Sequence, residues 1–202
     1  MIVNIDKWSV FVNMSPMKDR DKNILEAAER VFSCYGVKRA SMSDVAEEAG
    51  ISRQTLYKAF RSKDDILRTH ITVYTDYALT DIETGLAKTE GLGARIDLVL
   101  ERMVVPGFDM VRASPNAQDI IEGVNAATKE ELAKTAKRFQ AVIEEVLSPY
   151  SVALTEAGTP PEVLAEFIQQ SARAAKDYAT DRKHLFQQLH TIRQLCLVAA
   201  SQ

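Results

Sequence analysis

The sequence predicts an all-α fold. Only 8 of its 202 residues are glycine and 6 are proline, and long stretches contain neither, so few positions force a helix to end. Apolar residues recur at intervals of three and four along most of the chain, which is the period of a helix with one buried face. With 46% hydrophobic and 26% charged residues, the composition is that of an ordinary globular protein.

The first 16 residues stand apart from these helical segments. Asp6 and Lys7 interrupt any apolar core, so we do not expect a secretory signal peptide here. Residues 1–16 are therefore an N-terminal extension or an artefact of start-site choice, since two later methionines could also begin the chain. Its apolar residues could equally form a small strand or helix that packs on the body: Trp8, Val10 and Phe11.

Residues 18–35 are predicted to form the first helix, which Gly36 ends. The apolar positions follow one another at helical spacing, and we expect them to face a core. They are Ile24, Ala27, Ala28, Val31, Phe32 and Tyr35.

The stretch from Ser41 to Lys63 has the layout of a short helix, a tight turn and a second short helix. Ser41 and Asp44 fit a capping box, in which the serine hydroxyl and the acid three residues later satisfy each other's backbone N–H groups. Gly50 stands where a left-handed residue would close the first helix, and Ile51 follows as its hydrophobic contact.

The second short helix, residues 53–60, is predicted to carry one buried and one exposed face. Ser52 can cap it, and Leu56 and Phe60 lie four residues apart and should point inward. Between residues 51 and 63 there are four basic side chains and no acidic one, which is typical of a helix that enters a DNA major groove. The outward residues are Gln54, Tyr57, Lys58 and Arg61.

Ser62 and Asp65 form a second capping box, which predicts a long helix over residues 63–84. This helix carries two apolar stripes, so we expect it to contact neighbours on two sides. Residues 85–93 (GLAKTEGLG) are predicted to be a loop.

The following helices are delimited mainly by proline and glycine. A helix over residues 94–105 should stop at Pro106, and Ser114 with Pro115 should start a long helix that breaks near residues 125–128. Beyond the clear break GTPP at residues 158–161, two further helices are predicted to end the chain.

The charge is unevenly distributed. The net charge is −3, which at first argues against nucleic-acid binding. However, residues 17–70 carry 11 Lys and Arg against 9 Asp and Glu, whereas residues 71–202 carry 13 against 18. Because an acidic body would keep DNA oriented toward the basic end, distribution matters more here than the total.

The compartment is predicted from the absence of membrane and disulfide signals. No apolar run approaches 18 residues, so no transmembrane helix is expected. Cys34 and Cys196 lie far apart on apolar helix faces and are predicted to be buried free thiols, which suits a cytoplasmic protein.

The segment ILEAAERVFSCYGVKRASMSDVAEEAGISRQTLYKAFRSKDDIL, residues 24–67, closely resembles the DNA-binding domain of TetR-type transcriptional regulators. The likeness covers about the first third of the chain; the remainder matches this family in length and helical character only. The resemblance implies a three-helix helix-turn-helix domain at residues 17–70 and a helical effector-binding and dimerisation domain at residues 71–202.

The resemblance also implies roles for individual residues on a double-stranded DNA operator. Thr55, Tyr57 and Lys63 would contact phosphates, with the N-terminus of the fourth helix adding its dipole. Ser41 or Ser43 would touch the DNA backbone, and the outward Lys58 belongs to the same surface. Gln54 is the residue expected to read a base, since glutamine pairs bidentately with adenine, while Arg53 could serve either purpose.

Two positions depart from the common pattern of this family. Ala59 stands where a histidine or tyrosine often contacts phosphate, so that contact is in doubt. Gln54 replaces a small residue, so an operator preference cannot be transferred. Tyr57 could instead pack its ring against its own domain.

The resemblance further implies a homodimer and a small-molecule effector. The last two helices would pair with a second copy as a four-helix bundle, although their apolar faces could also serve only the intrachain core. Ligand-cavity residues are suggested by aromatic and methionine side chains on helices that surround the cavity in this family, although each could be plain core. These candidates are Tyr74, Tyr77, Met103, Phe108 and Met110.

An enzyme is disfavoured, and we predict no cofactor or metal site. His184 and His190 are six residues apart and do not share a helix face, which makes a poor metal pair. Residues 91–93 (GLG) lack the third glycine of a dinucleotide fingerprint. The other alternative is a helical interaction or ligand-binding protein that has lost operator binding; the segregated basic charge of residues 51–63 argues against it.

Overall fold

A computed structural model describes residues 17–201, with side chains except those of residues 117, 118 and 124–127. Over this range the chain is helical and forms no strand, which confirms the all-α prediction. The extension at residues 1–16, with the alternatives drawn for Trp8, Val10 and Phe11, lies outside the described residues. The helices are α1 (Asp19–Tyr35), α2 (Met42–Glu48), α3 (Arg53–Ala59), α4 (Lys63–Leu86), α5 (Leu92–Ala113), α6 (Ala117–Leu147), α7 (Ser151–Glu156), α8 (Pro161–Tyr178) and α9 (Arg182–Ala200), with a short 3-10 helix at Ser148–Tyr150.

The described chain divides into two compact units. The first contains residues 17–77 and 111–132, and the second contains residues 78–110 and 133–201. Helices α4, α5 and α6 therefore each contribute to both units. These units are defined by contacts alone. The predicted functional boundary at residue 70, between a DNA-binding and an effector-binding domain, therefore stays a prediction.

The first unit is built on the apolar faces of α1, α2 and α3. Ile24, Leu25 and Val45 are fully buried, and the first turns of α4 add Ile66 to the same cluster. From a distant part of the sequence, Ile120 of α6 also joins this core. The predicted stripe on α1 is buried up to Phe32, but its last member, Tyr35, is 57% exposed.

The second unit has its own apolar core. Helix α8 packs against α9, and α7 contacts both. Fully buried side chains come from most of its helices, so the unit has an interior of its own. Examples are Ile96, Leu100, Ile143, Leu154, Ile168 and Leu185.

The predicted stop at Pro106 is wrong. Helix α5 continues through this proline to Ala113, although proline removes one backbone donor. Val104 and Phe108 lie one turn apart on either side of it, and both are buried. Continued burial of this face offsets the lost hydrogen bond. The position of a proline in the sequence does not reveal whether the residues around it will be buried in this way.

Helix α6 confirms the predicted break but not the predicted start. Thr128 has non-helical backbone angles (φ −132°, ψ 17°) and divides the helix. The helix begins at Ala117, two residues later than expected, because the Ser114 hydroxyl accepts from the Asn116 N–H (3.1 Å) and so belongs to the preceding turn.

The predicted break at residues 158–161 separates α7 from α8. It begins at Gly158, which has a positive φ of 76°.

One of the two predicted buried thiols is exposed. Cys196 is buried in α9, but Cys34 lies on the outer side of the last turn of α1. Phe32 faces the core, and Cys34, two residues later, lies about 200° around the helix from it and so points to solvent. Within residues 17–201, no helix combines the length and apolar character that a membrane span requires.

Candidate nucleic-acid interface

The N-terminus of α2 is closed by the predicted capping box. The Ser41 hydroxyl accepts from the Asp44 N–H at 3.2 Å, and the Asp44 carboxylate accepts from the Ser41 N–H at 2.8 Å. Hydrogen bonding of the Asp44 carboxylate to the backbone and then to the side chain of Ser41 lowers the pKa of Asp44, and the nearby charges of Arg53 and Lys63 act in the same direction. The cap therefore keeps an ionised carboxylate beside two cations of the neighbouring helices.

The turn between α2 and α3 has the predicted left-handed glycine. Gly50 has φ 66°, and its N–H donates to the Glu47 carbonyl oxygen at 3.0 Å. The Ile51 N–H reaches back to the Ala46 carbonyl oxygen, also at 3.0 Å, which completes a Schellman motif. Because Ile51 also packs on the core, the direction in which α3 leaves the turn is set by the sequence of the turn itself.

Helix α3 is anchored on one side and capped at its start. The Ser52 hydroxyl accepts from the Thr55 N–H (3.1 Å) and shares a hydrogen bond with the Thr55 hydroxyl (2.9 Å). Leu56 is fully buried and Phe60 is 5% exposed, as their spacing predicted. These contacts hold the helix so that its opposite face points to solvent.

That outward face carries the candidate DNA contacts. Arg53, Gln54, Tyr57 and Lys58 are all exposed, and the Tyr57 ring is 52% exposed, which does not fit the alternative in which it packs into its own domain. Within the described part of the chain, the side chains of Gln54, Tyr57 and Lys58 form no hydrogen bond or ion pair. Their polar groups are thus free to form hydrogen bonds with a bound DNA duplex. Ser43 and Thr55 are partly buried beside them, and the contact of each with DNA stays a prediction.

Lys63 occupies a position that sequence reasoning did not foresee. Its ammonium donates to three backbone carbonyl oxygens of the α1–α2 loop: those of Val37 (2.6 Å), Lys38 (3.2 Å) and Ala40 (2.6 Å). An ammonium has three donors, so all are used inside the protein. The predicted phosphate contact of Lys63 would require at least one of these bonds to be exchanged.

The start of α4 follows the predicted capping box in part. The Asp65 N–H donates to the Ser62 hydroxyl at 3.2 Å, as expected. The Asp65 carboxylate, however, accepts from the N–H of Arg61 at 3.0 Å instead of that of Ser62. Its charge lies in the first helical turn, where the helix dipole favours it.

A second support for the α1–α2 loop comes from the beginning of α6. The Asn116 side-chain amide donates to the carbonyl oxygens of Ser33 (3.1 Å) and Cys34 (2.8 Å), which satisfies the last turn of α1. The Asp119 carboxylate accepts from the Lys38 N–H at 3.0 Å, and the Lys38 ammonium pairs with Glu122 at 2.6 Å. These partners are about 80 residues apart in sequence, and no local pattern signals them.

The predicted ligand residues lie in different units. Tyr74 and Tyr77 belong to the first unit, whereas Met103, Phe108 and Met110 belong to the second. Phe108 is buried, and the other four are partly buried.

The Tyr74 hydroxyl is buried and has no hydrogen-bond partner among the described residues. Burial, followed by the nearby Tyr77, raises the pKa of Tyr74. One turn earlier, burial lowers the pKa of His70 to about 4, so this imidazole is neutral at pH 7. A ligand role for Tyr74 and Tyr77 stays a prediction.

The helix-turn-helix segment matches a known family model. Residues 24–69 match the model described as "Bacterial regulatory proteins, tetR family". This range contains the capping box, the Schellman turn and α3, which are the features that build the exposed basic face.

Curated relatives are transcriptional regulators with partial coverage. An uncharacterised HTH-type regulator of Bacillus subtilis, YezE, is 30% identical over 124 residues, which is 61% of this chain and 53% of the relative. The regulator TtgR of Pseudomonas putida is 42% identical over 45 residues, which is 22% of this chain and 21% of the relative. The activator FasR of Mycolicibacterium smegmatis is 25% identical over 62% of this chain and 55% of its own. The chain spans about half the length of the first and third of these relatives.

Solved structures share the fold over nearly the whole chain. The fatty acid degradation regulator FadR of Bacillus halodurans has a TM-score of 0.69 at 15% identity and covers 91% of this chain and 97% of its own. A TetR/AcrR-family regulator of Thermobifida fusca has a TM-score of 0.65 at 20% identity, covering 89% and 97%. At these identities the likeness concerns the fold alone.

Proposed function

Because the chain belongs to the TetR family of bacterial regulatory proteins, we propose that it acts as a dimeric repressor that binds a palindromic operator and is released by a small molecule. One observation carries the DNA-binding part of this proposal. The outward face of α3 presents Gln54, Tyr57 and Lys58 with no partner among the residues described. A face with a base-reading amide, a phenol and an ammonium, all uncommitted, suits insertion into a major groove.

In this proposal the residues divide by role. Gln54 reads a base edge, Arg53 contacts either a base or a phosphate, and Tyr57 and Lys58 bind the phosphate backbone. Ser41, Ser43 and Thr55 lie at the starts of α2 and α3, where backbone N–H groups and the helix dipole also attract phosphate.

The dimer in this proposal forms through α8 and α9. Both helices leave large apolar side chains exposed. Because soluble monomers seldom expose such side chains in clusters, this exposure favours a contact with another protein surface. On α8, Phe167 is 52% and Tyr178 is 80% exposed; on α9, Leu195 is 54% and Val198 is 58% exposed. A two-fold pairing of these helices would cover these faces and present two copies of α3 to half-sites about 34–36 Å apart.

The effector step is proposed as a population shift. Helix α4 follows α3 directly and runs on into the second unit, so it is one of the three helices of the described chain that continue from one unit into the other, and the one that begins at the helix-turn-helix. A ligand that favours one arrangement of α4, through Tyr74, Tyr77 or the predicted α5 residues, would change operator affinity roughly 5- to 150-fold for a coupling of about 1–3 kcal/mol.

Selection of bound duplexes from random DNA tests the proposal. We expect enrichment of a palindrome whose half-sites are separated by about one helical turn. The matched control is a Gln54→Ala, Lys58→Ala variant, which should no longer enrich that palindrome. Failure of the unaltered protein to enrich any sequence would contradict operator binding and favour a helical ligand-binding protein, while a non-palindromic product would contradict the dimer.

A further inference from the structure

The second unit carries an open groove between α6 and α8. Its volume is about 490 Å³, which is within the range of small-molecule sites. Three alanines form the apolar part of its lining, and the rest of the lining is polar. None of the predicted ligand residues on α5 contributes to it.

A largely buried glutamine of α8 lines this groove. Gln169 is only 9% exposed and lines the groove, and its side chain makes no hydrogen bond to any residue that the structure describes. Among the described residues only the Tyr74 hydroxyl is a buried side-chain polar atom without a partner, so the unpaired amide of Gln169 is open to the solvent of the groove. Gln169 therefore presents one donor and one acceptor to whatever occupies the groove.

The groove also holds a cation without a partner. Lys137 on α6 has no carboxylate within ion-pair distance among the described residues. The acidic groups of the lining are already engaged on α8 itself. Glu166 accepts from the Gln170 amide at 2.9 Å, and Asp177 lies 3.9 Å from Arg173.

The uncommitted groups define the chemistry of a ligand. They are the Lys137 ammonium, the Gln169 amide and the amide of Gln140, which lies one turn from Lys137 and likewise has no side-chain partner in the described chain. A carboxylate complements the ammonium. A secondary amide complements Gln169, because its N–H can donate to the Gln169 oxygen and its carbonyl oxygen can accept from the Gln169 NH2 group. A doubly charged phosphate fits less well, because Glu166 and Asp177 also line the groove.

We infer that the groove between α6 and α8 binds a small monocarboxylate bearing a secondary amide, of the N-acylated amino acid class, with Lys137 holding the carboxylate and Gln169 the amide. This site is separate from the predicted effector residues and does not depend on the DNA-binding proposal.

Binding of three small probes to the full chain, without DNA, tests this inference. N-acetyl-L-alanine carries both groups, its methyl ester lacks the charge, and L-lactate lacks the amide. Because a hydrogen bond to a charged group contributes about 1.5–3 kcal/mol, we expect the ester to bind roughly tenfold more weakly or worse by ligand-observed NMR titration. Lactate should also bind more weakly than N-acetyl-L-alanine.

Two variants assign the contacts. Lys137→Gln should abolish the preference for the acid over the ester, and Gln169→Met should abolish the preference for N-acetyl-L-alanine over lactate. Lys183→Gln and Gln187→Met, at exposed positions of α9 away from the groove, are the matched controls and should bind all three probes like the unaltered chain.

The stability of Gln169→Met separates a ligand contact from a structural one. Since the amide has no partner in the described protein, its replacement by a thioether of similar shape should leave the Tm unchanged or raise it. A lowered Tm would overturn the inference, as would equal binding of the three probes or no binding of N-acetyl-L-alanine. If no probe binds and the two groove variants alter the association state in sedimentation, the groove is an interface between copies and the inference is wrong.

Discussion

The Lys63 ammonium donates a 2.6 Å hydrogen bond to the carbonyl oxygen of Ala40, the residue immediately before the N-cap of α2. With its bonds to Val37 and Lys38, it ties the start of α4 to the loop that carries α2. A side chain expected to contact phosphate is thus also part of the framework that positions the helices of the candidate DNA interface.

Lys63→Met should destabilise the protein. It keeps the aliphatic stem but leaves three carbonyl oxygens without their charged donor, and we expect a loss of about 1.5–3 kcal/mol in the free energy of unfolding by urea. Lys58→Met, at an exposed position without a partner in the described chain, should leave stability unchanged. Unaltered stability together with a salt slope of DNA binding smaller by about one unit would instead favour a simple phosphate contact.

Gln54→Ala should change which base is preferred. Loss of a bidentate amide contact costs about 1–3 kcal/mol at the correct base pair and little elsewhere. Lys58→Ala should weaken binding to all DNA and lower the salt slope by about one unit. Fluorescence anisotropy with a selected operator and a random duplex, at two salt concentrations, separates the two effects. Equal losses on both duplexes for Gln54→Ala would rule out base reading by this residue.

Gly123→Ala should be rescued by a second substitution in the α1–α2 loop. A Cβ atom at Gly123 would lie 2.7 Å from the Cβ of Val37, closer than packed carbons approach. The clash should cost about 1–3 kcal/mol, more than the helix propensity gained, which is at most about 1 kcal/mol. In a Val37→Gly background, which removes the clashing Cβ atom, the same change should cost much less than in the unaltered chain. Additive effects in this double-mutant cycle would contradict the contact.

Glu29 should make stability depend on pH. Burial, and then the neighbouring Glu26, raises the pKa of Glu29 from 4.5 to about 7, although Arg30 opposes the shift. The folded state therefore binds more protons than the unfolded state between these values, and stability should fall as pH rises from about 5 to 8.

Glu29→Gln should remove this part of the pH dependence and stabilise the protein at pH 8 by roughly 1–3 kcal/mol, measured by urea unfolding at both pH values. Glu47→Gln, which removes an exposed charge from α2, is the control and should keep the slope of the unaltered protein. A slope that persists in Glu29→Gln would assign it to another group.

Phe167→Asp should prevent association of two copies. The ring is 52% exposed on α8, and a charge there would have to be desolvated in a helix–helix interface. We expect sedimentation to show a monomer with unchanged helical content. Val152→Asp on α7, where the side chain is 72% exposed, should leave the dimer intact. A Phe167→Asp protein that remains dimeric would place the interface elsewhere.

Much of the helix-turn-helix could be predicted because its determinants are local. The Ser41–Asp44 capping box, the left-handed Gly50 and the inward pair Leu56 and Phe60 each depend on residues no more than five positions apart. Propensity, capping and helical periodicity act over such distances, so the residues themselves specify the structure. The exposed basic face of α3 follows from the same pattern.

The sequence by itself thus determined the helical class, the position and exposed face of α3, and a break near residues 125–128, which falls at Thr128. Only the tertiary structure decided that α5 runs through Pro106, that Lys63 holds a loop and that Asp119 supports Lys38, its partner 81 residues away. It also left the amide of Gln169 facing a groove with no partner in the described chain. The physical reason is that contacts between distant segments depend on how the helices pack, and such packing leaves no periodic signal along the chain.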